Sequence, residues 1–194
     1  MSPRTEEQFE EIRLEKKQLI LDASLELFAN KGYHTTSISK IATSAGISKG
    51  LIYNYFKSKE EILSELINRG FNEIIKNFDT NKDGTLETYE LKLYIETTFK
   101  QLKENTEFWK LYFRVSMQAE VMPLVKEKMA EIIEPLMAML FSFFETQGYE
   151  DPMTEAILFG ALLDGIAMDY VFAPDMMPID KLRDNIINRY CSKK

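Results

Sequence analysis

The chain has 194 residues, 45% of them hydrophobic, with one cysteine, one histidine and a net charge of −7. That length can bury a sizeable core in one or two domains, while a lone Cys191 excludes an internal disulfide. The first 15 residues are polar and acidic rather than signal-like, and charges interrupt every apolar run before it reaches a membrane-spanning length, so a soluble, cytoplasmic protein in a reducing compartment is expected.

Every long segment has helical periodicity and no strand pattern competes with it, which predicts an all-α fold. A first helix is expected from about Glu10 to Asn30, burying Ile20, Ala23, Leu27 and Phe28 and stopping at Lys31-Gly32. Thr36 or Ser37 caps a second helix, whose Ile38, Ile41 and Ala42 face inward, and Ser48 caps a third after Ala45-Gly46-Ile47. Two short helices around such a turn spell a helix-turn-helix. Ser58-Lys-Glu-Glu61 is a capping box that starts a fourth helix, running through Leu66 and Phe71 towards Phe78. After the polar stretch Asp79–Thr85, helices are expected over about 86–103 and 107–119. Pro123 opens the next, which Pro135 kinks or divides before Gln147-Gly148. Asp151-Pro152 then starts a helix reaching Phe172, and a last amphipathic helix covers 180–190. The expected architecture is nine or ten helices in two domains. Residues 1–57 are expected to form the helix-turn-helix DNA-binding domain, and 58–194 a larger helical domain.

The net charge hides a split. Residues 12–59 hold eight Lys/Arg against three acids, a local +5, whereas residues 60–194 sum to −9. Phosphate affinity follows the local patch, so an acidic total does not exclude DNA. Within the basic segment, Ser48 and Lys49 open the third helix, where hydroxyl, ammonium and backbone N–H groups can meet a phosphate. Gly50 leaves room for close approach of the backbone, Leu51 suits a thymine methyl and Asn54 suits adenine. Thr36, Ser37, Tyr53, Tyr55, Lys57 and Lys59 offer hydrogen bonds to phosphates. Ile52 and Phe56 are expected in the small core, and His34 in a solvated loop. With one histidine, no nucleophile motif and no phosphate-binding glycine loop, an enzyme is not expected.

The pattern Ile20, Ala23, Phe28, Gly32-Tyr33, Thr36, Ile38, Ile41-Ala42, Ala45-Gly46, Ser48, Gly50, Tyr53, Tyr55-Phe56, Lys59-Glu60 and Leu63 resembles the N-terminal domain of TetR-family transcriptional regulators. The likeness covers about a quarter of the chain; the remainder fits the family in helix number and order. The resemblance implies a homodimer that represses transcription from a palindromic operator and is released by a small molecule in the C-terminal domain. It thereby assigns ligand binding and dimerisation to residues 58–194.

That domain is rich in aromatic and soft side chains, which build plain cores or adaptable apolar cavities. Phe99, Trp109, Tyr112, Phe113, Met117, Met137, Phe141, Phe159, Leu163 and Met168 are the candidates for lining a site for a largely hydrophobic effector. The helix from Pro152 to Phe172, with its small residues, and the last helix are the expected dimer interface. No cofactor is expected to be required. A second motif runs from Asp79 to Glu90 and matches a calcium loop in full: Asp79, Asn81, Asp83 and Glu90 at positions 1, 3, 5 and 12, the Thr85 carbonyl at 7 and Gly84 at 6. The competing reading is a polar interhelix turn, where Asp, Asn and Gly are common anyway. The alternative function is therefore a calcium-responsive binding protein using the 79–90 loop.

Overall fold

The computed structural model describes residues 5–192. Among them are nine α-helices and no strands: α1 (Glu6–Lys31), α2 (Ile38–Ser44), α3 (Lys49–Tyr53), α4 (Lys59–Ile75), α5 (Thr88–Glu104), α6 (Thr106–Ser116), α7 (Met122–Thr146), α8 (Pro152–Phe172) and α9 (Ile179–Cys191), with one 3-10 turn at Pro174–Met176. The caps explain the boundaries. Ser37 accepts from the Lys40 N–H, Ser48 from Leu51 and Asp151 from Thr154. Ser58 accepts from the Glu61 N–H, but the Glu61 carboxylate reaches back to Lys57, one residue further than a capping box requires. One expectation is corrected: α1 begins at Glu6, set by a Thr5–Gln8 capping box outside the apolar period. Of the two alternatives at Pro135, division is excluded, because the proline lies inside one continuous α7.

The chain forms two compact units whose limits differ from a cut at residue 57. One holds the chain up to Arg69 together with Arg114–Val125; the other holds Gly70–Phe113 and the chain from Lys126 onward. α4 and α6 therefore each contribute to both. The first unit closes on Ile20, Phe28, Ile41, Ile52, Phe56, Ile62 and Ile67, all buried, at about 1.5–3 kcal/mol of apolar transfer for each large side chain. The segment Arg114–Val125 joins this unit because Val115 and Val121 are fully buried on either side of a tight turn, which ordinary periodicity in the sequence does not mark.

In the second unit α5 packs along α9. Phe144 of α7 meets Phe159 of α8 and Tyr190 of α9 edge-on at 6.2 and 5.6 Å. Tyr112 of α6 lies on Gly70 of α4: a Cβ at position 70 would stand 2.1 Å from its Cε2, so only glycine fits. No helix among the described residues is long and apolar enough to cross a membrane.

Candidate nucleic-acid interface and effector cavity

α3 is split lengthwise. Ile52 and the following Phe56 are buried, whereas Ser48, Lys49, Gly50, Tyr53, Asn54 and Lys57 are exposed. The turn before it uses Gly46 at φ +65°, a conformation that favours glycine. Gly50 is different. Its φ is ordinary, and a Cβ added there would meet nothing within 4 Å, so the fold itself gives no reason for glycine inside this helix. Leu51 and Tyr55 are half-buried, and Ser37 is exposed while its oxygen caps α2.

Two residues expected at phosphates have internal work instead. Thr36 is buried, and its hydroxyl donates to the Gly32 carbonyl at 2.8 Å, so it is withdrawn from the contact surface. Lys59 donates to the carbonyls of Tyr33 (2.8 Å), Thr36 (2.9 Å) and His34 (3.4 Å), and lies 4.3 Å from the centre of the Tyr33 ring. The ammonium thus pins the first turn of α4 to the α1–α2 loop, with a cation–π contribution. The Tyr33 hydroxyl donates to Glu60, and burial followed by the Glu60 charge pushes its pKa to about 12. It therefore stays a donor. Beside α2, an open groove is lined by Lys31, Thr35, Ser39, Lys40, Thr43 and Ser44. The sequence reading missed these residues, although hydroxyls at Ser39 and Thr43 share one helix face by their i, i+4 spacing.

The second unit contains a cavity of about 80 Å3. Trp109, Phe113 and Leu163 line it, as do Ile74, Tyr94, Thr98, Gln101, Leu102, Ala167, Glu73 and Asp164. Tyr94, Thr98, Gln101 and Leu102 form one face of α5; their i, i+4, i+7, i+8 spacing was readable, but attention to aromatics and methionines passed over them. The other candidates sit elsewhere. Phe99, Tyr112 and Phe159 are core residues, Met137, Phe141 and Met168 are half-buried outside this lining, and Met117 is 54% exposed on the α6–α7 turn. Burial first, then the Asp164 charge, pushes the Tyr94 phenol to about 12. Asp164 keeps contact with solvent at the rim, but the packed surroundings strip enough water to raise its carboxyl above the usual aspartate value.

Residues 20–66, which span the capped α2–turn–α3 arrangement and its supporting core, match the bacterial regulatory proteins of the tetR family. The match is confined to this helix-turn-helix segment, about a quarter of the chain. TetR-family proteins are helix-turn-helix transcriptional regulators rather than enzymes. The chain is 38% identical over 88 residues to the fatty acid metabolism regulator protein of Bacillus subtilis, an alignment covering 45% of each chain. It spans less than half the length of the curated relatives it matches first. Its fold is like that of the fatty acid degradation regulator FadR from Bacillus halodurans, with TM-score 0.72, 22% identity and coverage of 91% of this chain and 95% of that one. It is also like FadR from Bacillus subtilis in complex with stearoyl-CoA, with TM-score 0.67, 24% identity and coverage of 91% and 98%.

Outside the matched segment, the 79–90 loop folds as a self-bonded turn. Asp79 Oδ2 accepts from the Gly84 N–H, Asn81 Oδ1 from Asp83, and Asp83 Oδ1 from the N–H and hydroxyl of Thr85. The buried Glu90 accepts from the Thr80 N–H and hydroxyl and from the Glu87 N–H at 3.1, 2.8 and 3.2 Å, joining the loop to the start of α5. Asp79 Oδ1 is buried without a hydrogen-bond partner. No three His, Cys, Asp or Glu groups among the described residues are arranged to hold a metal ion. The carboxylate and amide oxygens of the calcium-loop pattern, Asp79 Oδ1 excepted, thus accept from donors of the loop and its flanks, and the family match at residues 20–66 lends the calcium-responsive reading no support.

Proposed function

We propose that the chain is an effector-responsive repressor that binds palindromic operator DNA as a homodimer through the open face of α3 and is released by an effector with a long apolar portion. The observation that carries the DNA side is Gly50: a helix-weakening residue in open space is explained by close approach of an outside surface. Lys49, Tyr53, Asn54 and Lys57 surround it with groups for phosphates and base edges, with Ser37, Ser48, Leu51 and Tyr55 beside them.

Homodimerisation is supported by α8, which is apolar on both sides. Phe159, Leu163 and Ile166 are buried, while Ile157, Leu158 and Phe172 remain 55%, 51% and 54% exposed next to Ala161 and Gly165. A patch of this kind marks an interaction surface, and a second copy would set the two α3 helices at the spacing of successive major grooves, about 34–36 Å. The likeness to a fatty acid metabolism regulator protein and to a FadR in complex with stearoyl-CoA suggests the effector class. The closed cavity is smaller than the roughly 150 Å3 that a buried benzene occupies in an engineered core. An acyl chain would therefore have to select a more open state of the second unit, which is how binding energy is converted into release of DNA. The cavity's lining offers two carboxylates and no base, so a bare fatty-acid carboxylate would be repelled there and the apolar tail of a thioester welcomed.

Fragments of genomic DNA selected on the purified protein, followed by gel shift with and without stearoyl-CoA, test the reading. Recovery of a two-fold symmetric site and its release by the thioester are expected. Failure to enrich any fragment would dismiss the DNA reading, and unchanged binding with the thioester would dismiss the effector class.

A further inference from the structure

The turn between α6 and α7 is fixed to the DNA-reading unit by one side-chain amide. Gln118 Nε2 donates to the Phe28 carbonyl at 2.8 Å, and its Oε1 accepts from the Tyr33 N–H at 2.8 Å. These two backbone groups lie at the C-terminal end of α1, where the Phe28 carbonyl also accepts from the Gly32 N–H at 3.0 Å and the Tyr33 N–H is beyond the helix. The amide spans them as a detached peptide group would, supplying one donor and one acceptor. Gln118 is itself held from behind: its N–H donates to the Val115 carbonyl, and its own carbonyl accepts from Val121 and Met122 at 2.9 and 3.0 Å. Val115 and Val121 are fully buried, and Arg114 adds a 2.9 Å bond to Asn30.

Tyr33 is where this clamp meets the reader. Its N–H is held by Gln118, its carbonyl by Lys59, its hydroxyl by Glu60, and its ring stands edge-on to Phe28 at 5.1 Å. Three residues on, Thr36 is buried, and Ser37 after it caps α2. A displacement of Gln118 must therefore move the loop that sets the entry of the helix-turn-helix. The same α6 that leads into this turn supplies Trp109 and Phe113 to the cavity.

We propose that Gln118 is a positioning residue through which the state of the cavity reaches the DNA-reading helices, by way of the Phe28 and Tyr33 backbone. This rests on the regulator reading above. Apolar burial of Val115 and Val121 holds the turn in place without the amide, so what the amide adds is direction rather than bulk stability.

The only tryptophan in the sequence is Trp109, so intrinsic emission reports on the cavity. By linkage, a coupling that lets the cavity alter DNA binding also lets DNA alter the cavity. Titration of the full-length protein with a selected duplex should shift Trp109 emission. Gln118→Met, which keeps volume and removes both bonds to the end of α1 together with the 3.3 Å bond to the Arg114 carbonyl, should still bind the duplex, within roughly a hundredfold for lost hydrogen bonds of about 1 kcal/mol each, but with the emission shift gone. If that variant does not fold, Gln118→Glu, which keeps the acceptor for Tyr33 and loses the donor, takes its place with the same readings. An emission shift that survives in a DNA-binding variant overturns the proposal, as does wild-type DNA binding with silent Trp109 emission. If the wild type binds no duplex, the regulator reading fails and takes this proposal with it.

Discussion

Gly50→Ala separates the needs of the fold from the needs of the interface. Position 50 lies inside α3 with an ordinary φ, and an added methyl touches nothing within 4 Å. Removing glycine from a helix then gains about 0.5–1 kcal/mol, largely by restricting the unfolded chain. For a chain of this size each kcal/mol moves Tm by about 2–4 °C, so a rise of roughly 1–4 °C is expected. On DNA the same methyl occupies the closest approach. Overpacking of a tight contact costs about 1–3 kcal/mol, a loss of roughly five- to hundredfold in affinity. Thermal melting followed by circular dichroism gives the first quantity, and gel shift on a selected duplex gives the second. A higher Tm with undiminished DNA affinity would show that no outside surface approaches position 50. A lower Tm would show that the space around it is not open.

The opposite glycine behaves oppositely: Gly70→Ala drives a methyl into Tyr112, and a loss of about 1–3 kcal/mol should lower Tm by several degrees. Glu90→Gln tests the turn. Burial favours the neutral acid, but donors from Thr80, Glu87 and Asn81 outweigh it and hold the carboxyl below its ordinary value. The stability this supplies is present above the unfolded value of 4.5 and is lost as pH falls, so the variant's deficit in Tm at pH 7 should close in acid. Asp164→Asn runs the other way. Desolvation raises the Asp164 carboxyl, so its contribution is fully present only below the unfolded value of 3.8 and fades as pH rises through the folded one. The variant should melt higher than wild type at pH 7 and lose that advantage near pH 3. Ile157→Glu places a charge on the exposed face of α8, and sedimentation should show a monomer for the variant against the dimer proposed for the wild type.

The fold was legible wherever local chemistry decides it. Hydroxyl and carboxylate caps at Ser37, Ser48, Ser58 and Asp151 sit at helix starts, and the buried set Ile41, Ala42, Ile52 and Phe56 follows from period alone. What stayed hidden was tertiary. Lysine, threonine and glutamine look equally free in a sequence, and only the folded chain shows that Lys59, Thr36 and Gln118 spend their hydrogen bonds on the α1–α2 loop. The cavity was half-legible for the same reason. Trp109, Phe113 and Leu163 announce themselves by type, but Thr98 and Gln101 line the space only because α5 presents that face. The calcium motif shows the converse limit: twelve positions can satisfy a ligand pattern while their carboxylates serve backbone donors.

These internal engagements also change how the charge split should be understood. The +5 of residues 12–59 counts Lys59, whose ammonium is spent on three carbonyls, and Lys17, which pairs with Glu65 at 2.6 Å. Neither is free to displace counterions from a phosphate backbone. The exposed cations left near α2 and α3 are Lys31, Lys49 and Lys57, with Lys40 also exposed but giving one N–H to the Thr35 carbonyl at 2.8 Å, and they flank the open face of α3 and the hydroxyl-lined groove beside α2. Counterion release depends on the number of cations that reach phosphates and not on net charge. Three such lysines and the partly engaged Lys40, doubled in the proposed dimer, would be ample for a reader carried on an acidic body. The acidity of the remainder then limits non-specific adhesion to DNA, which helps a specific site compete with the rest of a genome.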